Sequence, residues 1–158
     1  MAMVLANFID PSSVCLQLNV QSRDEAISVL GRRLEERGLV KPTFVAAAVE
    51  RERTMPTGLP LGDDINVAVP HTDPEHVLRP GLALATLAQP VLFGSMDDPE
   101  QMIPVRVVFV MALSERKAQI EMLQSIAEVI QDRKTLDALL AARTVPEVLT
   151  ALGAPSTS

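Results

Sequence analysis

Both histidines of the chain, His71 and His76, stand close together behind a short apolar run, Val67-Ala68-Val69, that ends at Pro70. An imidazole with an ordinary pKa of about 6.5 is largely neutral at pH 7 and needs no further activation to act as a nucleophile. Attack on a phosphoryl group gives a labile N–P bond suited to onward transfer. Such a site needs a group to fix the ring tautomer and cations for the phosphoryl oxygens, because phosphoryl transfer is mostly positioning and electrostatics. Arg51, upstream, has the planar guanidinium that binds two such oxygens at once. The strand before Pro70 would put His71 at a sheet end, within reach of another protein's active site.

Other chemistries fit the same residue types. A histidine just past a strand also serves structural or surface roles. His71, Asp73 and His76 are suitable metal donors, but Pro74 disrupts their spacing and only carboxylates or water remain to complete a shell. A Ser-His-Asp hydrolase lacks its Gly-x-Ser-x-Gly elbow, and His71 and Asp73 are too close in sequence for that triad. The expectation is a site without metal or cofactor.

The elements that must position these groups belong to one domain. The chain has 158 residues, 47% of them hydrophobic, with four Phe and no Trp or Tyr, so the core must be aliphatic. A net charge of -6 and the lack of any basic stripe argue against nucleic acid as a partner. Cys15 has no partner for an internal disulfide, and its setting, Val14-Cys15-Leu16, reads as a buried strand. No signal-like start or membrane-length apolar run is present, so a cytoplasmic location without direct membrane insertion is expected.

A strand is expected over 13–18, after the Asp10-Pro11-Ser12 turn. The capping box Ser22-Arg23-Asp24-Glu25 starts a helix that Gly38 stops, with Ala26, Ile27, Leu30 and Leu34 on its apolar face. Pro42 opens a second helix, to about Arg53, carrying Phe44, Val45, Ala48 and Val49 inward. Pro56, Gly58, Pro60 and Gly62 predict a shaped loop with no regular structure. After Val67–Val69, two strands are expected over 82–87 and 91–93, separated by a Gln89-Pro90 corner, and a central strand over 105–113. Ser114 is the expected cap of a helix facing Ile120, Leu123, Ala127 and Ile130 inward. A shorter helix with Leu136, Leu139 and Leu140 follows, and Thr144-Val145-Pro146-Glu147 caps the last one. This order predicts an α/β fold: a single mixed β-sheet with helices packed on both faces, its core over about 10–152 and a frayed tail over 154–158.

Glu50-Arg51-Glu52, Pro56-Thr57-Gly58-Leu59-Pro60 and Val67-Ala68-Val69-Pro70-His71-Thr72-Asp73 together resemble the enzyme IIA component of the bacterial sugar phosphotransferase system (PTS). The branch is the fructose/mannitol type, and the Pro-Thr-Gly-Leu-Pro loop with Pro-His-Thr-Asp looks most like galactitol-type members. Val91-Leu92-Phe93-Gly94-Ser95-Met96 and Ala118-Gln119-Ile120-Glu121-Met122-Leu123 are similar to the same branch, so the resemblance runs from about Asp10 to Leu152. It implies that His71 takes a phosphoryl group from the carrier HPr and passes it to a cysteine of a cognate enzyme IIB, which feeds a membrane enzyme IIC. It also implies that Arg51 steadies the phosphoryl group. The alternative is a regulatory phosphoprotein of the same fold, of the nitrogen type, in which His71 phosphorylation controls protein binding.

The chain departs from that family at two points. Relatives in the mannitol and fructose branches carry a second active-site histidine near the start of the helix after the long central strand, where this sequence reads Glu115-Arg116-Lys117-Ala118-Gln119. Lys117, Gln119 or His76 are the candidate substitutes. Thr72 follows the nucleophile where many relatives have a smaller residue, as a donor or as an exposed loop residue. Plainer roles stand beside these. His76 would cap or pack its turn, and Asp73-Pro74 would start one. Phe93 and Met96 would be core or a docking patch, and Arg116 and Lys117 a solvated helix start.

Overall fold

The computed structural model describes residues 4–62 and 65–153. Its sheet has five strands: β1 (Val14–Leu18), β2 (Gly58–Leu59), β3 (Asn66–Ala68), β4 (Gly81–Gly94) and β5 (Met102–Ala112), in the spatial order β1-β4-β5-β3-β2. β4 and β5 form a long antiparallel hairpin, β1 lies parallel to β4, β3 parallel to β5, and β2 antiparallel to β3. This is the mixed sheet expected. The helices are α1 (Arg23–Glu36), α2 (Phe44–Thr54), α3 (Arg116–Gln131), α4 (Arg133–Ala141) and α5 (Val145–Ala151).

The two faces of the sheet carry separate apolar cores. Ala83, Ala85, Val108 and Val110 pack with Ile27, Leu30, Leu34, Phe44 and Ala48 of α1 and α2. Leu82, Leu84, Phe109 and Met111 pack with Met122, Ile126, Leu136, Leu139 and Val148 of the C-terminal helices. β5 is thus covered on both faces, as its apolar run requires. Cys15 is buried in β1, and burial pushes its thiol pKa up.

The strand and helix order matches expectation, but two strand assignments change. Gly58–Leu59 is a strand, with Gly58 opposite Ala68 and Leu59 opposite Val67. A Cβ on Gly58 would lie 2.5 Å from the Gly94 carbonyl oxygen, so only glycine lets these backbones meet. Conversely, 82–87 and 91–93 are one strand. The ladder slips between Thr86 and Val91, where Pro90 has no N–H to give, and resumes with Val91 opposite Val105.

The helix starts follow their caps. Ser22 Oγ accepts from Glu25 N at 3.2 Å, and Thr144 Oγ1 from Glu147 N at 3.4 Å. At α3 the N-cap is Glu115 rather than Ser114, without a side-chain cap. Its buried residues are Met122, Ser125, Ile126 and Ile130, leaving Ile120 58% exposed rather than inward. The expected frayed tail, 154–158, lies outside the described residues. Among the described residues no helix is long and apolar enough to cross a membrane.

Candidate functional site

β3 delivers the chain to His71 along a backbone that is held at each step. Val69 N donates to Thr57 O at 3.3 Å and Thr57 Oγ1 at 3.2 Å, and Met111 N of β5 donates to Pro70 O at 3.0 Å. His71 Nδ1 then lies 2.9 Å from Val69 O. A carbonyl only accepts, so Nδ1 carries the proton and Nε2 keeps its lone pair. The half-buried ring lines a cavity of about 320 Å³ with Arg51, Thr54, Met55, Pro56, Thr57, Met96 and Pro99. Burial pulls the His71 pKa below the usual histidine value, opposed by the Val69 hydrogen bond; Arg51 lowers it further and Asp73 raises it. The site therefore holds a neutral imidazole of fixed tautomer at the mouth of a small cavity.

Charge reaches this imidazole from two helices. Arg51 Nη1, near the end of α2, lies 3.5 Å from Asp73 Oδ1, and Arg116 Nη2, at the start of α3, lies 3.5 Å from the same oxygen. Two guanidiniums against one carboxylate leave the cluster net positive, an arrangement suited to an anionic group. Arg51 Nε is buried without a hydrogen-bond partner, an unmet donor beside the cavity.

The supporting candidates separate. Gln119 Nε2 donates to Thr72 O at 2.8 Å, so α3 holds the His71 loop through an amide. Thr72 is buried and is not an exposed loop residue. Lys117 is exposed at the helix start. His76 turns away: its Nδ1 lies 2.8 Å from Thr43 Oγ1 at the α2 N-cap and its Nε2 is 3.8 Å from Glu75 Oε1. Its contacts are those of a turn being packed. Among the described residues no group of three or more His, Cys, Asp or Glu side chains converges as a metal shell, so His71, Asp73 and His76 are not assembled into one.

The family model described as "Phosphoenolpyruvate-dependent sugar phosphotransferase system, EIIA 2" matches residues 7–154. The chain belongs to this family. As a member it is an EIIA-type component of the sugar phosphotransferase system, and it spans only about a fifth of the multidomain mannitol-specific EIICBA relatives it also matches. The mannitol-specific phosphotransferase enzyme IIA component of Halalkalibacterium halodurans is 27% identical, over 92% of this chain and 94% of that protein. The 2-O-alpha-mannosyl-D-glycerate-specific EIIABC component of Escherichia coli K12 is 30% identical over 95% of this chain, which spans only 22% of that longer protein. The galactitol-specific EIIA component of Escherichia coli O6:H1 is 25% identical over 79% of this chain and 80% of that one. Among solved structures, the complex of mannitol enzyme IIA with phosphorylated enzyme IIB from Escherichia coli matches with a TM-score of 0.74 and 26% identity, over 90% of this chain and 95% of that chain.

Three residues of this EIIA chain that touch the site escaped the sequence reading. Arg116 passes for a solvated helix start until the fold brings it to Asp73. Thr57 sits in a stretch read as loop. Glu52 is 1% exposed, and a signal for it exists: Phe44, Ala48 and Glu52 recur every fourth residue, so the carboxylate occupies the buried stripe of α2.

Proposed function

We propose that His71 is the phosphoryl acceptor, through Nε2, and that this chain relays phosphate from phospho-HPr to a cysteine of a cognate enzyme IIB serving a membrane enzyme IIC. In the first step the Nε2 lone pair forms a bond to phosphorus as the N–P bond of phospho-HPr breaks, and that electron pair returns to the donor imidazole. In the second, a thiolate displaces the group and the pair returns to Nε2. The observation that carries the reading is the Nδ1–H to Val69 O bond, which leaves Nε2 as the basic nitrogen of a ring beside Arg51. Arg51 clamps the transferring oxygens once drawn from Asp73, and Asp73 keeps it poised in the resting site.

The complex that the mannitol enzyme IIA relative forms with phosphorylated enzyme IIB supports the second half of the relay. The sugar is selected by the membrane component. Here the Pro56–Pro60 loop supports a galactitol-type system, whereas the mannitol-specific relative above is similar over more of the chain.

Incubation with phospho-HPr tests the acceptor. Acid-labile, base-stable incorporation is expected in the wild type and in His76→Ala, and none in His71→Ala. Label that survives in His71→Ala and vanishes in His76→Ala would reverse the assignment. Added enzyme IIB should discharge the label to its cysteine; label that stays on His71 would favour the regulatory role.

A further inference from the structure

At its C-terminal end α2 turns neighbouring charges to different sides: Arg51 lines the His71 cavity, while Glu52 lies buried beneath it. Both Glu52 oxygens are engaged by one residue. Oε2 accepts from Thr57 N at 2.7 Å and Oε1 from Thr57 Oγ1 at 2.8 Å. With its proton directed to Glu52, the Thr57 hydroxyl offers a lone pair to Val69 N at 3.2 Å, and the Thr57 carbonyl takes the same N–H at 3.3 Å. Val69 O in turn holds the Nδ1–H of His71 at 2.9 Å. Hydrogen bonds on either side of the Val69 backbone thus link a buried carboxylate to the imidazole.

Burying a carboxylate is costly, and an apolar side chain could fill the stripe that Phe44 and Ala48 begin. What an apolar residue cannot do is orient the Thr57 hydroxyl. The Val69 N–H and C=O belong to different peptide groups, so the influence on His71 is geometric rather than electronic. It sets where the acceptor carbonyl stands. We propose that Glu52 is a positioning residue for phosphoryl transfer, which, by holding Thr57, fixes the Val69 backbone and so the orientation and tautomer of the His71 ring. This rests on His71 being the acceptor.

The test uses the full chain as wild type, Glu52→Gln, Thr57→Val and Thr57→Ser, with two readouts: imidazole 15N shifts at pH 8 and the initial rate of phosphate uptake from phospho-HPr. In Glu52→Gln the amide nitrogen donates where the carboxylate accepted, so the Thr57 hydroxyl must turn. Thr57→Val removes the hydroxyl altogether. The wild type should show the Nδ1–H tautomer alone. Both variants should show mixed tautomers and uptake slowed by about 10- to 100-fold, by analogy with the loss of a hydrogen-bond partner that orients a metal-ligating histidine. Thr57→Ser should restore both readouts. Wild-type tautomer and rate in Thr57→Val and Glu52→Gln would overturn the proposal while leaving the acceptor in place. Should Glu52→Gln not fold, Thr57→Val decides by the same two readouts. A wild type that takes no phosphate on His71 removes the acceptor reading, and this proposal with it.

Discussion

The His71 loop is held from two sides, and the sides are built differently. Behind it, Glu52, Thr57 and Val69 form a buried frame with short, directed hydrogen bonds. In front, Arg51 and Arg116 meet Asp73 at 3.5 Å, with the Arg116 side chain 71% exposed. On the proposed relay the rear fixes geometry, and the front supplies charge that has to move when a phosphoryl group arrives. Arg51 belongs to both, since its Nε is buried while its Nη1 reaches the exposed carboxylate. The largest effect is therefore expected there. Arg51→Ala should cost about 2–4 kcal/mol of transition-state stabilisation, as for other preorganised donors. This is roughly a thirtyfold to a thousandfold in transfer rate. Arg51→Lys should recover only part, because it keeps the charge and loses the planar fork. Rates that stay unchanged alongside a slightly lowered melting point would reduce Arg51 to a helix-end residue.

The rear frame is expected to betray itself through pH. Burial pushes the Glu52 pKa from 4.5 up to about 7, against the Thr57 hydrogen bonds and the charges of Arg23 on α1 and Arg51 on its own helix, which lower it. The protonated form is thus favoured by folding. Its contribution to stability is fully present below about 4.5 and is lost as pH rises through about 7. The gap corresponds to on the order of 3 kcal/mol, at about 1.4 kcal/mol per factor of ten. His71 runs the other way: its lowered pKa makes stability rise with pH just below the ordinary histidine value. The difference between wild-type and Glu52→Gln denaturation curves across this range isolates Glu52. The variant should be relatively more stable at pH 8 while slower in transfer. No change in that difference across the range would mean that Glu52 is charged throughout.

Gly58→Ala tests the same frame sterically. Its Cβ would stand 2.5 Å from Gly94 O and 2.9 Å from Ile103 Cδ1, and the first neighbour is backbone that cannot swing aside. A loss of about 1–3 kcal/mol is expected in chemical denaturation, the usual cost of overpacking. A neutral result would show that β2 is free to lift away from β4.

The contrast between rear and front also explains what was legible in the sequence. The strand before His71 and the β4–β5 hairpin were legible in their apolar runs, whereas Arg51, on α2, was singled out by its residue type and by the family resemblance. β2 could not be read that way. It is two residues long, flanked by prolines, and its place depends on a missing Cβ rather than on any buried side chain. The inward face of α3 was misread because Ile120 fits an apolar period, yet it stands two residues from Met122 and so on the side opposite the face that Ala118, Met122, Ile126 and Ile130 turn to the core. Glu52 was hidden by its charge, which reads as solvated unless its spacing from Phe44 and Ala48 is counted. The meeting of Arg116 with Asp73 is made by tertiary structure and leaves no local pattern.

Arg116 should give the smallest effect, and a distinctive one. It is mostly exposed, and its partner Asp73 is 45% exposed, so their pairing should add no more than about 0–1 kcal/mol to stability. On the proposed relay, Arg116 would act as a screened charge guiding the phosphoryl group, rather than as a clamp. Arg116→Ala should slow uptake by about fivefold or less at low ionic strength, equivalent to roughly 1 kcal/mol. The deficit should fade at high salt, where the Debye length falls to about 3 Å at 1 M. The Arg51→Ala deficit should persist there, because a partly buried guanidinium is screened far less. Transfer rates for both variants at low and high salt separate the two arginines. An Arg116→Ala loss as large as that of Arg51→Ala, and equally indifferent to salt, would show that the front of the loop is as rigidly built as the rear.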